Sequence, residues 1–124
     1  MKEIIAVVRM DTMNQTKKAL TGAGIDSMFA HECHGRGKGL VDVKILAGAS
    51  AGYEEAIALL GEKGKLYAKR MLTMVVNDKL VDTVVRTLIE TNQTGKPGDG
   101  KIFVLPVSDA VRVRTGEIGE KALR

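Results

Sequence analysis

The stretch MLTMVVNDKLVDTVVRTLIE, residues 71–90, contains a strand signal followed directly by a helix signal. Residues 71–76 are almost wholly apolar, as a central strand buried on both faces should be. Asn77 or Asp78 can then cap a helix. The next apolar residues recur at i, i+1, i+4 and i+5, so they share one helix face: Leu80, Val81, Val84, Val85, Leu88 and Ile89. Turn-forming residues from Thr94 to Gly98 must end this helix.

Strand signals occur on both sides of this segment. Residues 3–8 are a β-branched run that predicts a first strand, and residues 27–35 give a weaker signal for a second. Residues 102–107 predict a fourth strand. Residues 111–114, VRVR, alternate in polarity, which predicts a short C-terminal strand with both arginines on one side.

A first helix is predicted between strands one and two. Thr12 followed by Gln15 resembles a capping box, and the helix should run to about Gly22 or Gly24. The element order is then β-α-β, a long connection, β-α-β. Two such units make an α+β, ferredoxin-like split βαβ fold (βαββαβ) with both helices on one sheet face. The other face would expose aliphatic side chains, so a partner chain is expected.

The connection between strands two and three is unusually long. From residue 37 to residue 68 it covers about 30 residues. Connections of that length in a compact domain are usually functional. We therefore expect one domain over residues 1–124, in which residues 37–68 form an extended, flexible loop.

Composition narrows the class of protein. The chain has 124 residues and a net charge of +4, which suits binding of nucleotide phosphates as well as nucleic acid. Its single cysteine, Cys33, excludes an intramolecular disulfide. We see no signal-peptide region and no apolar stretch of 18 residues, so we expect a cytoplasmic protein without membrane insertion.

The most informative motif is TGKPGDGK, residues 94–101. Its glycines let backbone N–H groups turn toward an anion, and Lys101 adds a positive charge. Gly95 to Lys101 match the GxxxxGK part of a Walker A motif, but Ile102 replaces the Mg²⁺-binding Ser or Thr. The loop also leads from a helix into a strand, the reverse of the P-loop order. We therefore favour a phosphate-binding loop of another kind over a Walker ATPase or a plain turn.

Two further segments carry basic residues. Arg112 and Arg114 share one face of the predicted C-terminal strand, and arginine forks suit phosphate oxygens. Next to the glycine loop they suggest a second wall of an anionic site. GRGKG, residues 35–39, is a third basic and glycine-rich segment, although this pattern alone is weakly specific.

These motifs resemble those of the PII nitrogen-regulatory family. TGKPGDGKIFV at residues 94–104 is similar to the PII B-loop, VRVRTGE at 111–117 to the C-loop, and MKEIIAVVR at 1–9 to the opening strand. GRGKGLVD at 35–42 resembles the nitrogenase-associated subgroup. The resemblance implies a ferredoxin-like trimer with ATP or ADP in three intersubunit clefts, and 2-oxoglutarate bound beside Mg²⁺-ATP. Residues 37–68 take the place of the T-loop, which binds target proteins.

The resemblance also implies roles for individual residues. Val75 would lie beside the adenine, and Lys69 would approach phosphate or the 2-oxoglutarate carboxylate. Gly39 stands where ordinary PII proteins have a glutamine that helps hold Mg²⁺ and 2-oxoglutarate. No catalytic residue and no metal-ligating side chain is assigned. The other expected nucleotide-binding residues come from the T-loop base, the B-loop and the C-loop: Gly35, Gly37, Lys38, Gly98, Asp99, Gly100, Lys101, Arg112 and Arg114.

The function implied is regulation rather than catalysis. The expected target is the catalytic component of nitrogenase, inhibited through the long loop by a homotrimer or by a hetero-oligomer with a sister PII chain. The alternative is an ordinary PII regulator of an ammonium channel or a nitrogen-assimilation enzyme. Two other classes are less favoured. An ATP-using enzyme would need a nucleophile and base, yet His31 and His34 are isolated, and an RNA-binding domain would need more aromatics.

Overall fold

The computed structural model describes residues 1–36 and 66–124. Single 3₁₀ turns precede each helix, at Met10–Thr12 and Asp78–Leu80, and a third forms at Gly119–Leu123. The strands and helices of this part of the chain are β1 (Lys2–Val8), α1 (Met13–Gly22), β2 (Phe29–Gly35), β3 (Tyr67–Val76), α2 (Val81–Asn92) and β4 (Lys101–Pro106).

The four strands form one sheet in the order β2-β3-β1-β4, with every neighbouring pair antiparallel. Strand β1 lies between β3 and β4, and its residue Ile5 is paired with Thr73 of β3 and with Phe103 of β4. The two strands of the first β-α-β unit, β1 and β2, are separated by β3 of the second unit. Likewise, β3 and β4 are separated by β1. This arrangement confirms the predicted ferredoxin-like α+β fold.

The core lies between the sheet and the two helices. Alternate residues of β1 and β3 point into it and are buried, as the period of two in a strand requires. Val84 and Leu88 of α2 are fully buried against them, whereas Ile89 of the predicted stripe is 43% exposed. Each large aliphatic side chain buried here contributes about 1.5–3 kcal/mol. The largest fully buried apolar side chains are Ile4, Leu20, Leu72, Met74, Leu88 and Val84.

One polar contact crosses the interface between the helices. Asn92 at the end of α2 is buried, and its Nδ2 donates to Thr16 Oγ1 of α1 at 3.2 Å and to the Leu88 carbonyl at 3.0 Å. Thr16 Oγ1 in turn donates to the Thr12 carbonyl at 2.8 Å. Because both polar groups are buried and bonded, they fix the end of α2, from which the 94–101 loop departs.

The helix starts agree only in part with the predicted caps. Asn77 accepts a hydrogen bond from the Lys79 N–H at 2.9 Å, so it caps the turn that leads into α2. The predicted capping box at Thr12 is wrong, because the Thr12 hydroxyl donates to the Arg9 carbonyl instead. The 3₁₀ turn Met10–Thr12 occupies the backbone before α1 and leaves no room for the box.

The third strand begins earlier than its apolar run predicted. Strand β3 starts at Tyr67, so residues 67 and 68 belong to the sheet rather than to the long connection. They pair with Gly35 and His34 of β2, and this ladder extends the strand beyond its apolar core. The remainder of the predicted loop, residues 37–65, lies outside the described residues.

The predicted short C-terminal strand is reduced to a single bridge between Val111 and Ile118. The chain reverses between them, since the Gly116 N–H donates to the Arg112 carbonyl at 2.7 Å. Gly116 takes a φ of +71°, which favours glycine. The alternation of VRVR therefore ends in a turn instead of a strand.

The sheet face opposite the helices is open. It carries Ile5, Val7 and Met71 at its centre, and Phe29 and Phe103 toward its edges are 70% and 50% exposed. This is the aliphatic face expected from the sequence, with aromatic side chains at its edges. No helix in the described part of the chain is long and apolar enough to cross a membrane.

Candidate functional site

The glycine-rich loop closes around the side chain of Asp99. Its Oδ2 accepts the Thr94 N–H at 2.8 Å and the Gly95 N–H at 2.9 Å, while Oδ1 accepts the Thr94 hydroxyl at 2.5 Å. An Asp carboxylate bonded to nearby N–H groups stabilises a turn. The loop of residues 94–101 is therefore an ordered structure built around one inward-facing carboxylate.

Arg9 fastens this loop to the end of β1. Its Nη1 donates to Asp99 Oδ1 at 2.7 Å, and its Nη2 donates to the Pro97 carbonyl at 3.0 Å. The hydrogen bonds from Thr94, and then the contact with Arg9, hold the pKa of the Asp99 carboxyl well below its usual range. Asp99 is thus ionised at neutral pH.

Two glycines make the close packing of this loop achievable. Gly98 and Gly100 have φ of +97° and +112°, in the left-handed region. A Cβ on Gly100 would lie 1.8 Å from the Val7 carbonyl oxygen of β1. Only glycine lets the loop backbone approach the strand this closely.

Basic side chains surround the loop. Lys69 of β3 donates from Nζ to the Gly98 carbonyl at 3.1 Å. Burial and the nearby Arg9 charge lower the pKa of Lys69. Lys101 begins β4, lies opposite Val7 and is exposed. Arg9, Lys69 and Lys101 thus outnumber the nearby carboxylates of Asp99 and Asp11, which leaves a net positive site for an anion.

A groove of about 500 Å³ lies beside the loop. Its floor is apolar and includes Val85 and Ile89 of α2, while Gly100, Lys101 and Gln93 are among its polar rim. The groove therefore combines an apolar surface with the basic end of the loop, a combination that suits a small organic anion.

The structure brings together only part of the predicted site. Gly98 to Lys101 and Lys69 lie around the same loop, and Gly35 pairs with Tyr67, two residues from Lys69 on β3. Val75 lies opposite Glu3 on the open sheet face. The other two predicted residues of the loop base, Gly37 and Lys38, lie outside the described residues.

The two predicted arginines belong to a different part of the chain. Arg112 bonds Glu117 Oε1 at 2.9 Å and the carbonyls of Lys121 and Arg124, and Arg114 is exposed. Within the described part of one chain, these bonds hold Arg112 on the C-terminal turn. That both arginines form a second wall of an anionic site stays a prediction.

Arg9 is the site residue that sequence reasoning missed. It lies 90 residues from Asp99 in the chain, so no local motif joins them. The sequence offers one signal for this contact. Arg9 directly follows β1, and the end of β1 pairs with the start of β4, where the 94–101 loop ends.

The residues present fit a phosphate-bearing ligand, because the loop backbone turns tightly and Arg9, Lys69 and Lys101 supply positive charge beside it. Residues 1–36 and 66–124 contain no group of three His, Cys, Asp or Glu side chains that could bind a metal ion.

Comparisons with known proteins agree with these observations. The family model "Nitrogen regulatory protein P-II" matches residues 1–117. A "Nitrogen fixation nifHD region GlnB-like protein 2" of Methanobacterium ivanovii is 42% identical over 125 positions, covering 99% of each chain. A "Nitrogen regulatory protein P-II 2" of Methanothermobacter thermautotrophicus is 41% identical over 123 positions, covering 99% of this chain and 97% of its own.

A solved structure shares both the fold and the sequence pattern. The crystal structure of Arabidopsis thaliana PII bound to citrate superposes with a TM-score of 0.73 at 35% identity, covering 99% of this chain and 89% of that one. With the glycine loop, the antiparallel sheet and the family match in agreement, the chain belongs to the nitrogen regulatory protein P-II family.

Proposed function

We propose that this protein is a cytoplasmic nitrogen-regulatory signalling protein that binds ATP and ADP at the 94–101 loop and acts on other proteins rather than by catalysis. The observation that carries the proposal is the loop itself. Its one carboxylate is bonded inward, while Arg9, Lys69 and Lys101 leave a surplus of positive charge around it. A nucleotide phosphate is the ligand that best matches this charge and backbone geometry.

The nucleotide would span two subunits. The backbone from Gly98 to Gly100 and the side chain of Lys101 would contact the phosphates from one chain, and Arg112 with Arg114 would reach them from a neighbouring chain. Within one subunit Arg112 bonds Glu117 and the Lys121 carbonyl, which is compatible with this division. Val75 would lie beside the adenine. The loop base, Gly35, Gly37 and Lys38, would contact the nucleotide from the third side.

Removing either cation that contacts phosphate is expected to weaken nucleotide binding. Lys101→Ala and Arg112→Ala should each cost on the order of 1.5–3 kcal/mol for both ATP and ADP, since each removes a charged hydrogen bond. Isothermal titration calorimetry on the assembled protein measures this directly. Lys18→Ala, which removes an exposed cation from α1, is the matched control and should leave both affinities unchanged. Unchanged ATP affinity in both test variants contradicts the site.

The same site would also sense 2-oxoglutarate. Bound ATP would present Mg²⁺ to the keto acid, and Lys69 would pair with its carboxylate. Lys69 already donates to the Gly98 carbonyl of the phosphate loop, which supports a link between the two ligands. The Arabidopsis relative bound to citrate supports recognition of a small carboxylate by this fold.

The proposed target is the catalytic component of nitrogenase, bound through residues 37–68 by a homotrimer or together with a sister PII chain. The nifHD-region names of relatives that match along the whole chain support this choice. ADP, or the absence of 2-oxoglutarate, would leave the loop able to dock. ATP with 2-oxoglutarate would favour another loop conformation, and can do so only by its differential affinity for the two.

Deleting residues 47–61 is expected to abolish inhibition while leaving ATP binding and assembly intact, because the deletion removes the middle of the loop and spares its base. Nitrogenase activity in extract, with ADP or with ATP plus 2-oxoglutarate, is the measurement. Inhibition by the deletion variant, or no inhibition by the intact protein, contradicts the proposed target.

Binding of the intact protein to an ammonium channel or a nitrogen-assimilation enzyme would instead support the alternative, an ordinary PII regulator. A pulldown from native extract, with and without ATP plus 2-oxoglutarate, separates the two because each target has a distinct mass. The nifHD-region names of the relatives favour nitrogenase.

A further inference from the structure

The carboxylate of Asp99 is fully used inside its own loop. Its two oxygens accept bonds from the Thr94 N–H and hydroxyl, from the Gly95 N–H and from Arg9. A carboxylate beside a phosphate would repel it unless its charge were already matched. The side chain therefore shapes the loop, and its charge is matched by donors of the loop and by Arg9.

Arg9 is fixed at both ends. Its carbonyl accepts the Thr12 hydroxyl at 3.0 Å, which ties its backbone to the turn before α1. Its guanidinium reaches two separate points of the loop, Asp99 at 2.7 Å and the Pro97 carbonyl at 3.0 Å. A planar fork with several donors can hold two acceptors at once, which a lysine ammonium does less rigidly.

We propose that Arg9 is a positioning residue for the anion-binding loop, acting through Asp99 and Pro97 rather than by contact with the ligand. The identity of the ligand as a nucleotide rests on the function proposed above. Arg9 keeps Gly98 and Gly100 against the end of β1, where Lys69 and Lys101 flank them. Without the two contacts that make Arg9 a clamp, the loop would be less ordered before the ligand binds. Ordering it on binding would then reduce the affinity.

A double-mutant cycle distinguishes positioning from direct contact. Arg9→Gln, Asp99→Asn and the double variant are titrated with ATP and with adenosine by calorimetry. Each single change should weaken ATP binding by about 10- to 100-fold, the loss expected for a charged hydrogen bond. The double variant should be no weaker than the weaker single variant, because both changes release the same clamp.

The affinity for adenosine is the control for general damage to the protein, because such damage would lower it. Its affinity should stay the same in all three variants, since it has no phosphate to reach the loop. Arg9→Lys, which keeps the charge but not the two-point contact, should recover only part of the ATP affinity. Losses for ATP that multiply in the double variant, or full recovery by lysine, would overturn the proposal in favour of direct contact. An equal loss of adenosine affinity would overturn it as well.

Hydrogen exchange of the nucleotide-free protein tests the clamp without any ligand. The Thr94 and Gly95 amides donate to Asp99, so Arg9→Gln should raise their exchange rates by about tenfold or more. The Gly119 amide, bonded to the Ala110 carbonyl at 2.9 Å, is the internal control and should not change. If wild-type protein bound no nucleotide, the proposed function would fail, yet this measurement would still decide the role of Arg9. Unchanged exchange at Thr94 and Gly95 would overturn that role.

Discussion

Gly100→Ala is expected to lower the free energy of unfolding by about 3 kcal/mol or more, the range reached when backbone strain and a steric clash coincide. The new Cβ would lie 1.8 Å from the Val7 carbonyl oxygen and 2.9 Å from its carbon. Neither atom can move easily, because Val7 lies in the central strand between Met71 and Lys101. The residue also has a φ of +112°, which side chains rarely adopt. Urea denaturation measures the loss.

Gly95→Ala is the matched control in the same loop. Gly95 also has a positive φ, +83°, but nothing lies within 4 Å of the position of its Cβ. It should therefore incur only the backbone cost, about 1–2 kcal/mol. The difference between the two variants isolates the close packing of the loop on β1. Equal losses would show that backbone conformation alone requires glycine at residue 100.

The strands and helices were predictable where their apolar pattern was strong. Residues 71–76 became strand, but only Leu72, Met74 and Val76 are buried, so the expected burial on both faces is not met in the single chain. Val84 with Leu88 became the core of α2. The start of β3 was not predictable from its sequence, because Tyr67 to Arg70 carry no apolar alternation. Those residues are strand because β2 continues to Gly35 and offers them a partner. Pairing between distant strands thus overrides local pattern.

The C-terminal segment illustrates the opposite error. Its alternation of Val and Arg had the period of a strand, but Gly116 two residues after Arg114 turns the chain back. The turn leaves a single bridge between Val111 and Ile118. A strand needs a partner along its length, and the next few residues decide whether one exists.

The candidate site was predictable where its chemistry lay in one segment. Glycines at 94–101 predicted a tightly turned loop, and the structure places Gly98 and Gly100 at positive φ. Binding of an anion by this loop stays a prediction. Arg9 and its bond to Asp99 could not be predicted, since only the pairing of β1 with β4 brings the two together. Contacts between residues so far apart in the chain follow from topology and not from a motif.

Phe103→Glu is expected to convert the proposed trimer into monomers at micromolar concentration. Phe103 lies on the open sheet face, opposite Ile5, and is 50% exposed in the single chain. A glutamate would therefore remain in water when the chain is alone. In a trimer whose sheets face inward, the carboxylates of three chains would be buried among apolar side chains without partners. Burying an unpaired charge costs several kcal/mol, enough to reverse assembly.

Ile89→Glu is the matched control, because Ile89 is 43% exposed but lies on α2, on the opposite side of the sheet. Both variants exchange a half-exposed apolar side chain for a carboxylate, so solubility and net charge change equally. Sedimentation equilibrium should report a trimer for wild type and Ile89→Glu and a monomer for Phe103→Glu. A monomeric wild type would contradict the trimer itself. A trimer that survives Phe103→Glu while Ile89→Glu dissociates would place the contact between subunits on the helices instead. The proposed nucleotide site, which needs Arg112 of a neighbouring chain, would then require a different arrangement of subunits.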